Sequence, residues 1–568
     1  MDNNNVIKPC LVETRRGFSV LYKDKPLYSK YAPAEQIKKI ISSLQILPNT
    51  LILCYSPLLG YGLEDLFEKL PENCFVLALE ADKNLFDFSM TCKESLLSKI
   101  QNSHNNFVYY NSQSTLEITK LINNLGSTNF PKIGNFKRAL PIEFSAGTQF
   151  SSDFYTSLTS LVDESISQFW RNRTTLIKLG RLFAGNFFKN LQDISNFDEE
   201  TYISLENLQK KSWGKTLLVL GTGISLENLL ENTKNYLTEK TFRNKLFIIA
   251  VDASLPVLGK YNIMPDLVVG VEGQAAIDKA YIGFKNSKIN FSQDLLSRPG
   301  IKRSLKSKNF FFLSRYTEES FFSDFVQLSE KIGIPVIEPL GSVGLVAIEL
   351  ALMIRNPETK IYFSGLDFSY IPGKTHSKGA PIHSNLLSNC SKINSLEQFS
   401  SSYNNGTIFI KGKSSILSPE KEEITSKNLY SYGLHFSKRY KNTANLFDLS
   451  SFGVITGIPK SSKKDFINSV EKSFLPHTKE ETNNFHKTSF RDIAIQAKEF
   501  LKSHNSRLQK IKNILIGNEP TKDLDSLLNQ CGYLYLHFPD GHLGAKLSED
   551  FLKRVRAELN YFLKIIET

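Results

Sequence analysis

Short apolar runs alternate with amphipathic stretches along most of this 568-residue chain, and that alternation limits the fold more than any other feature. Runs at Thr216–Leu220, Leu246–Val251, 267–271, 309–313, 335–338 and 360–364 are apolar almost throughout. A strand apolar on both faces is covered on both faces. Strands separated by helical stretches belong to a parallel sheet. The expected fold class is α/β, with a central doubly wound sheet and a ligand crevice at the carboxyl ends of its strands. Residues Val343–Ile354 have helical period, and 407–411 read as a late hairpin strand.

The same alternation occurs nearer the start. Strands are expected at 51–55, 75–79 and 106–110, with amphipathic pieces at 33–44 and 63–70 between them. Residues 157–191 keep helical period and link this Rossmann-like unit to the next. After about residue 460 the strands stop. Residues 490–516 and 549–566 are amphipathic, with Phe551, Val555, Leu559, Phe562 and Ile566 on one stripe. The expected division is 1–155, 156–460 (with the linking helix 157–191) and a helical 461–568.

Composition excludes several classes. With 41% hydrophobic residues the chain can fill packed cores. No apolar run approaches the ~18 residues of a spanning helix. The opening MDNNNVIKPC lacks a secretory pattern, so cytoplasmic folding is expected. Six scattered cysteines, without CxxC or a Cys/His cluster, point to neither a zinc site nor a disulfide framework. Net charge is 69 − 57 = +12, spread evenly without a basic block. That suits phosphate or carboxylate ligands better than nucleic acid or a membrane.

The sharpest local feature is LVLGTGISLENL, a strand running through Gly221, Thr222 and Gly223 into a helix. Glycines there let a ligand approach the backbone. Ser225 can cap the helix, whose amino terminus favours an anion. The next strand ends at Asp252, an acid placed to contact a ribose or to cap the helix after it. Glu272 ends a third strand. Further on, Gly341 and Ser342 precede the Val343–Ile354 helix, giving a second anion contact. Asp367 and Tyr370 follow the 360–364 strand, and Lys374, Thr375 and His376 follow in a loop, with His383 seven residues beyond. A loop histidine beside a strand tip is a candidate base, and Lys374 a candidate partner for a leaving phosphate. Gly60-Tyr61-Gly62 with Glu80 has the spacing of a dinucleotide turn without its last glycine, and reads as a structural unit.

Five segments together carry a resemblance: RNRTTLIKLGRLFAGNFFKNL, LVLGTGISLENL, AVDASLPVLGKYNIMPDLVVGVE, EPLGSVGLVAIELAL and IYFSGLDFSYIPGKTH. In this order they resemble the motility accessory factor (Maf) family of flagellin glycosyltransferases. The core of that family is related to 6-hydroxymethylpterin pyrophosphokinase-like proteins. Some of them are also similar to bacterial sialyltransferases, with Gly221, Thr222, Gly223 and Ser225 on the first nucleotide-binding turn, Ser342 on the second and Asp367 on the third. Asp252 stands where those enzymes have asparagine, and Ser369 and Tyr370 match their tyrosine pair only loosely.

The resemblance implies transfer of a nonulosonic acid, of pseudaminic or legionaminic type, from a CMP-activated donor to Ser or Thr of flagellin. No cofactor or metal is implied, and flagellin is the implied partner. His376, then His383, would be the base. Two other readings share the fold. A pyrophosphokinase would hold ATP and magnesium near Asp252, Asp266 and Glu272, and a flagellin-binding chaperone would use no chemistry.

Overall fold

The computed structural model describes every residue except 1–7, 124–129, 197–200, 285–286, 301–304, 306–307, 317–318, 397–406, 417–421, 474–489 and 568. Most of the opening MDNNNVIKPC lies outside the described residues. The chain forms two compact units, one of residues 1–178 with 538–544 and one of 179–537 with 545–568.

The first unit opens with β1 (Cys10–Thr14), β2 (Gly17–Tyr22) and β3 (Lys25–Pro26), a small antiparallel sheet. It continues with β4 (Thr50–Tyr55), β5 (Phe75–Glu80), β6 (Phe107–Asn111) and β7 (Arg138–Glu143), all parallel, in the order β6-β5-β4-β7. Every residue of β4 and β5 is buried, as a strand covered on both faces requires.

The second unit holds the main sheet. Its strands are β8 (Thr216–Leu220), β9 (Leu246–Val251), β10 (Leu267–Gly270), β11 (Asn290–Asp294), β12 (Asn309–Ser314), β13 (Val336–Ile337) and β14 (Ile361–Ser364). A two-stranded antiparallel ribbon, β15 (Thr407–Ile410) and β16 (Glu423–Ser426), and a last parallel strand, β17 (Leu446–Asp448), follow. The order is β13-β12-β11-β10-β9-β8-β14-β17, and all neighbours are parallel. The direction of strand addition reverses between β8 and β14, which places the crevice of a doubly wound sheet at those two tips. The Val343–Ile354 helix buries eight of its twelve residues against one face of this sheet.

A 44-residue helix, Ser152–Ser195, starts in the first unit and ends in the second. The late helices Phe490–Leu515 and Glu549–Glu567 form no third unit. They share an aromatic core with the end of the long helix. Phe187 stacks on Phe325 at 3.7 Å, and Phe188 meets both Tyr533 and Phe562. The stripe of Phe551, Val555, Leu559, Phe562 and Ile566 is buried there. The division at 460/461 therefore corresponds to a loss of strands and not to a boundary between compact units.

Candidate active site

The tips of β8 and β14 meet backbone to backbone. Gly221 N–H donates to Ser364 O, and Gly223 N–H to Gly365 O, both at 2.8 Å. A Cβ atom at Gly221 would lie 2.3 Å from Gly365 O, and one at Gly365, whose φ is +75°, 2.6 Å from Gly221 O. The first glycine thus serves the approach of two strands, where the sequence suggested the approach of a ligand. The start of the Ser225–Thr238 helix is occupied too. Ser225 N–H donates to Asp367 Oδ2 at 2.8 Å. Ser225 is the first helical residue and not the cap, and its hydroxyl bonds to the Phe452 backbone. An internal carboxylate holds the position that the sequence offered to a phosphate. Thr222 beside it is buried, and its carbonyl accepts from Ser377 N–H.

Behind Asp367 lies a buried ionic cluster that sequence patterning did not reveal. Lys413 Nζ sits 2.8 Å from Asp448 Oδ2, both side chains 1% exposed, and Lys460 Nζ is 3.3 Å from the same oxygen. Glu423 accepts from Ser369 Oγ, Gly453 N–H and Ser414 N–H. Burial pushes Asp367 up to about 6, against the opposing Lys413 charge. These residues are scattered between positions 367 and 460, in segments without periodic pattern, so only the fold assembles them. Tyr370, expected at the ligand, is fully buried instead. Its hydroxyl meets Thr407 Oγ1 at 3.3 Å and its N–H pairs with Ile424 O.

The loop after β14 folds back over the Ser225–Thr238 helix. Lys374, expected to meet an anion directly, pairs with Glu227 at 2.6 Å. His376 Nδ1 is 3.1 Å from Thr375 Oγ1. Burial, with His383 nearby, pushes the His376 imidazole down to about 4. His383 is buried on the Pro381–Ser388 helix. Burial first, then the charges of Lys374, Lys378 and Lys260, hold it below its usual range, with Glu227 opposing. The His376 ring is neutral at pH 7, and His383 is biased in the same direction.

The remaining candidates line the other strand tips. Asp252 Oδ1 accepts from Ala253 N–H at 2.8 Å, and Oδ2 has no partner among the described residues. Burial pushes this acid up to about 7, and the Glu272 charge adds to the effect. The helix after it, Leu255–Lys260, is not capped by Asp252, so that alternative role falls away. Glu272 is half-buried, with Oε1 accepting from Gln274 N–H. Ser342 caps the Val343–Ile354 helix through Gly344 N–H at 3.3 Å, and Gly341 takes φ +75° to reach it. A Cβ atom at Gly344 would meet Leu366, which brings this second helix start beside the β14 tip.

Asp266 lies at the opposite, amino-terminal end of the strands. It precedes β10, accepts from Ile248 N–H and pairs with Arg243 at 2.7 Å. The set of Asp252, Asp266 and Glu272 proposed for magnesium is therefore not brought together. In the first unit, Glu80 accepts from Ser56 Oγ at 2.6 Å, Asp82 N–H and Tyr155 OH, which fills the place a ribose would take. Gly62, at φ +81°, makes room for Ile37 and Ile41.

Comparison with known proteins bears out the resemblance read from the motifs. Residues 185–373 match the 6-hydroxymethylpterin diphosphokinase MptE-like family. An uncharacterized protein of Treponema pallidum (strain Nichols) is 30% identical, over 99% of this chain and 95% of its own. The structure of a MAf glycosyltransferase from Magnetospirillum magneticum AMB-1 superposes with a TM-score of 0.51 at 13% identity, covering 98% of this chain and 91% of that one.

Proposed function

We propose, for a chain that belongs to one family with the Treponema pallidum protein and has the fold of the Maf glycosyltransferase, that it is itself a glycosyltransferase. Its donor in this reading is a CMP-activated nonulosonic acid, its acceptor a Ser or Thr hydroxyl of flagellin, and its place of work the cytoplasm. The observation that carries the reading is the correspondence with that fold along nearly the whole chain, with a crevice at the reversal of strand order. A glycosyltransferase gives both units and the late helices a place, whereas the pterin-kinase likeness covers only 185–373.

The donor carries a phosphate and a carboxylate. With the first helix start closed by Asp367, the Ser342 turn is the open anion position, since a helix amino terminus offers N–H groups and a positive dipole end. Asp252 Oδ2, buried and without a partner among the described residues, is suited to a donor hydroxyl. The acceptor oxygen attacks the anomeric carbon, the bond to the CMP phosphate breaks, and the acceptor proton passes to a neutral imidazole, His376 or His383. CMP leaves with the bonding electron pair, and donors fixed in advance at the Ser342 turn stabilise its growing charge. This reading needs no resident cofactor.

The test is CMP release from a CMP-nonulosonate in the presence of purified flagellin. Turnover with glycosylated flagellin supports the transferase. Conversion of ATP to AMP with a pterin acceptor supports the kinase.

A further inference from the structure

An aromatic wall stands beside the Ser342 turn, built from Phe183 of the RNRTTLIKLGRLFAGNFFKNL segment and from two tyrosines, Tyr316 and Tyr432, that lie in none of the motifs. Phe183, buried on the long helix, stacks on Tyr316 just past β12, with ring centroids 5.6 Å apart and planes 28° apart. A Cβ atom at Gly273 would come within 3.0 Å of the Phe183 ring, so the helix closes directly onto the turn after Glu272. Tyr432 presses its ring against Gly341, where a Cβ atom would lie 2.6 Å from it. Tyr316 and Tyr432 both remain half-exposed. Arg315 N–H donates to Ile337 O at 2.8 Å, so Tyr316 leaves β12 beside the β13 tip that leads to Gly341 and Ser342. Burial first, then Asp294, Glu272 and Tyr432, push the Tyr316 phenol up. Glu272 Oε1 is engaged by Gln274 N–H, and no partner is present for its other oxygen among the described residues.

We infer that Tyr316 and Tyr432 form a nucleobase platform beside the Ser342 anion turn, with Glu272 accepting a hydrogen bond from the base's exocyclic amine. Aromatic faces stack any base. A carboxylate adds selectivity, because it pairs with the amino group of cytosine and repels the carbonyl oxygen that uracil carries there. The platform is fixed before ligand arrives. Asn186 Nδ2 donates to Gly273 O and Leu296 O, and Asn190 Nδ2 to Leu295 O and Ser297 O, all within 3.2 Å, which pins the turns after β10 and β11. The inference rests on the nucleotide-donor reading and adds the base to it.

The experiment is calorimetric titration of the full chain with CMP and with UMP, thermal unfolding being followed for each variant. Wild type prefers CMP by about tenfold or more. Y316L and Y432L each weaken CMP by about fivefold or more, and Y316F, which keeps the ring, restores it. E272Q, whose amide both donates and accepts, narrows the CMP-over-UMP preference. Equal wild-type affinities overturn the inference, as does full CMP affinity in folded Y316L and Y432L. If those variants unfold, Y316F and E272Q decide. A wild type that transfers sugar from its donor while ignoring the base sinks the platform and leaves the transferase. A wild type that binds neither nucleotide sinks both.

Discussion

Asp367 Oδ2 accepts the Ser225 N–H at 2.8 Å, so the helix start nearest the sheet's reversal is closed by the protein's own carboxylate. This bond makes Asp367 a brace of the β8–β14 corner, held between a helix dipole and the buried Lys413. Asp367→Ala leaves the Ser225 N–H without its acceptor and leaves Asp448 alone to balance the buried Lys413 and the nearby Lys460. Its expected cost is about 3–5 kcal/mol of stability, seen in denaturant unfolding. Asp367→Asn keeps an acceptor and costs less. An Asp367→Ala protein as stable as wild type contradicts this role.

Asp252 gives a pH-dependent prediction. Its folded-state pKa, about 7, lies above that of an ordinary aspartate, so the folded protein binds the extra proton. Stability from this group is present at low pH and declines as pH rises from about 4 to about 7. Asp252→Asn removes the penalty. It is expected to raise stability at pH 8 by about 2 kcal/mol or more and to leave it unchanged near pH 4. The same change is expected to weaken donor binding, a trade of stability against function. Thermal unfolding of both proteins across this pH range checks it.

Asn190 is buried with three amide bonds. It donates to Leu295 O and Ser297 O and accepts from Gln293 Nε2. Asn190→Ala strands those groups and is expected to cost about 2–4 kcal/mol. Asn190→Asp, which keeps the shape but turns acceptors toward carbonyl oxygens, is expected to cost more. Equal losses in the two variants would mean that packing, and not hydrogen bonding, holds the turn.

The histidines predict a pH–rate profile. A base must be neutral, and burial holds His376 down to about 4. If His376 takes the acceptor proton, kcat stays flat from pH 8 to about 5 and falls only below that. His376→Gln then lowers kcat by about 10²–10⁴-fold, with donor KM little changed. A limb near pH 6.5 in the wild-type profile contradicts the assignment.

The legible part of the fold was its apolar part. β8 and β9 begin and end where the runs Thr216–Leu220 and Leu246–Val251 do, because parallel strands buried on both faces are written in continuous apolar sequence. β11 was not legible, since Asn290, Ser292, Gln293 and Asp294 are polar; Asn290, Gln293 and Asp294 are accommodated by hydrogen bonds that only the fold supplies, and the buried Ser292 hydroxyl has no partner among the described residues. The glycine turn was found by its pattern, but its occupant was not, because Asp367 lies more than 140 residues away from Ser225 in sequence. Lys374 looked free for a ligand, but Glu227, on the Ser225–Thr238 helix, faces it.

The most direct test of the account is a crystal structure of the chain with CMP. It predicts the phosphate at the Ser342 turn, at the start of the Val343–Ile354 helix, and the base against Tyr316 and Tyr432. CMP bound at the Ser225 helix start with Asp367 displaced, or anywhere outside the strand-tip crevice of the second unit, would contradict it.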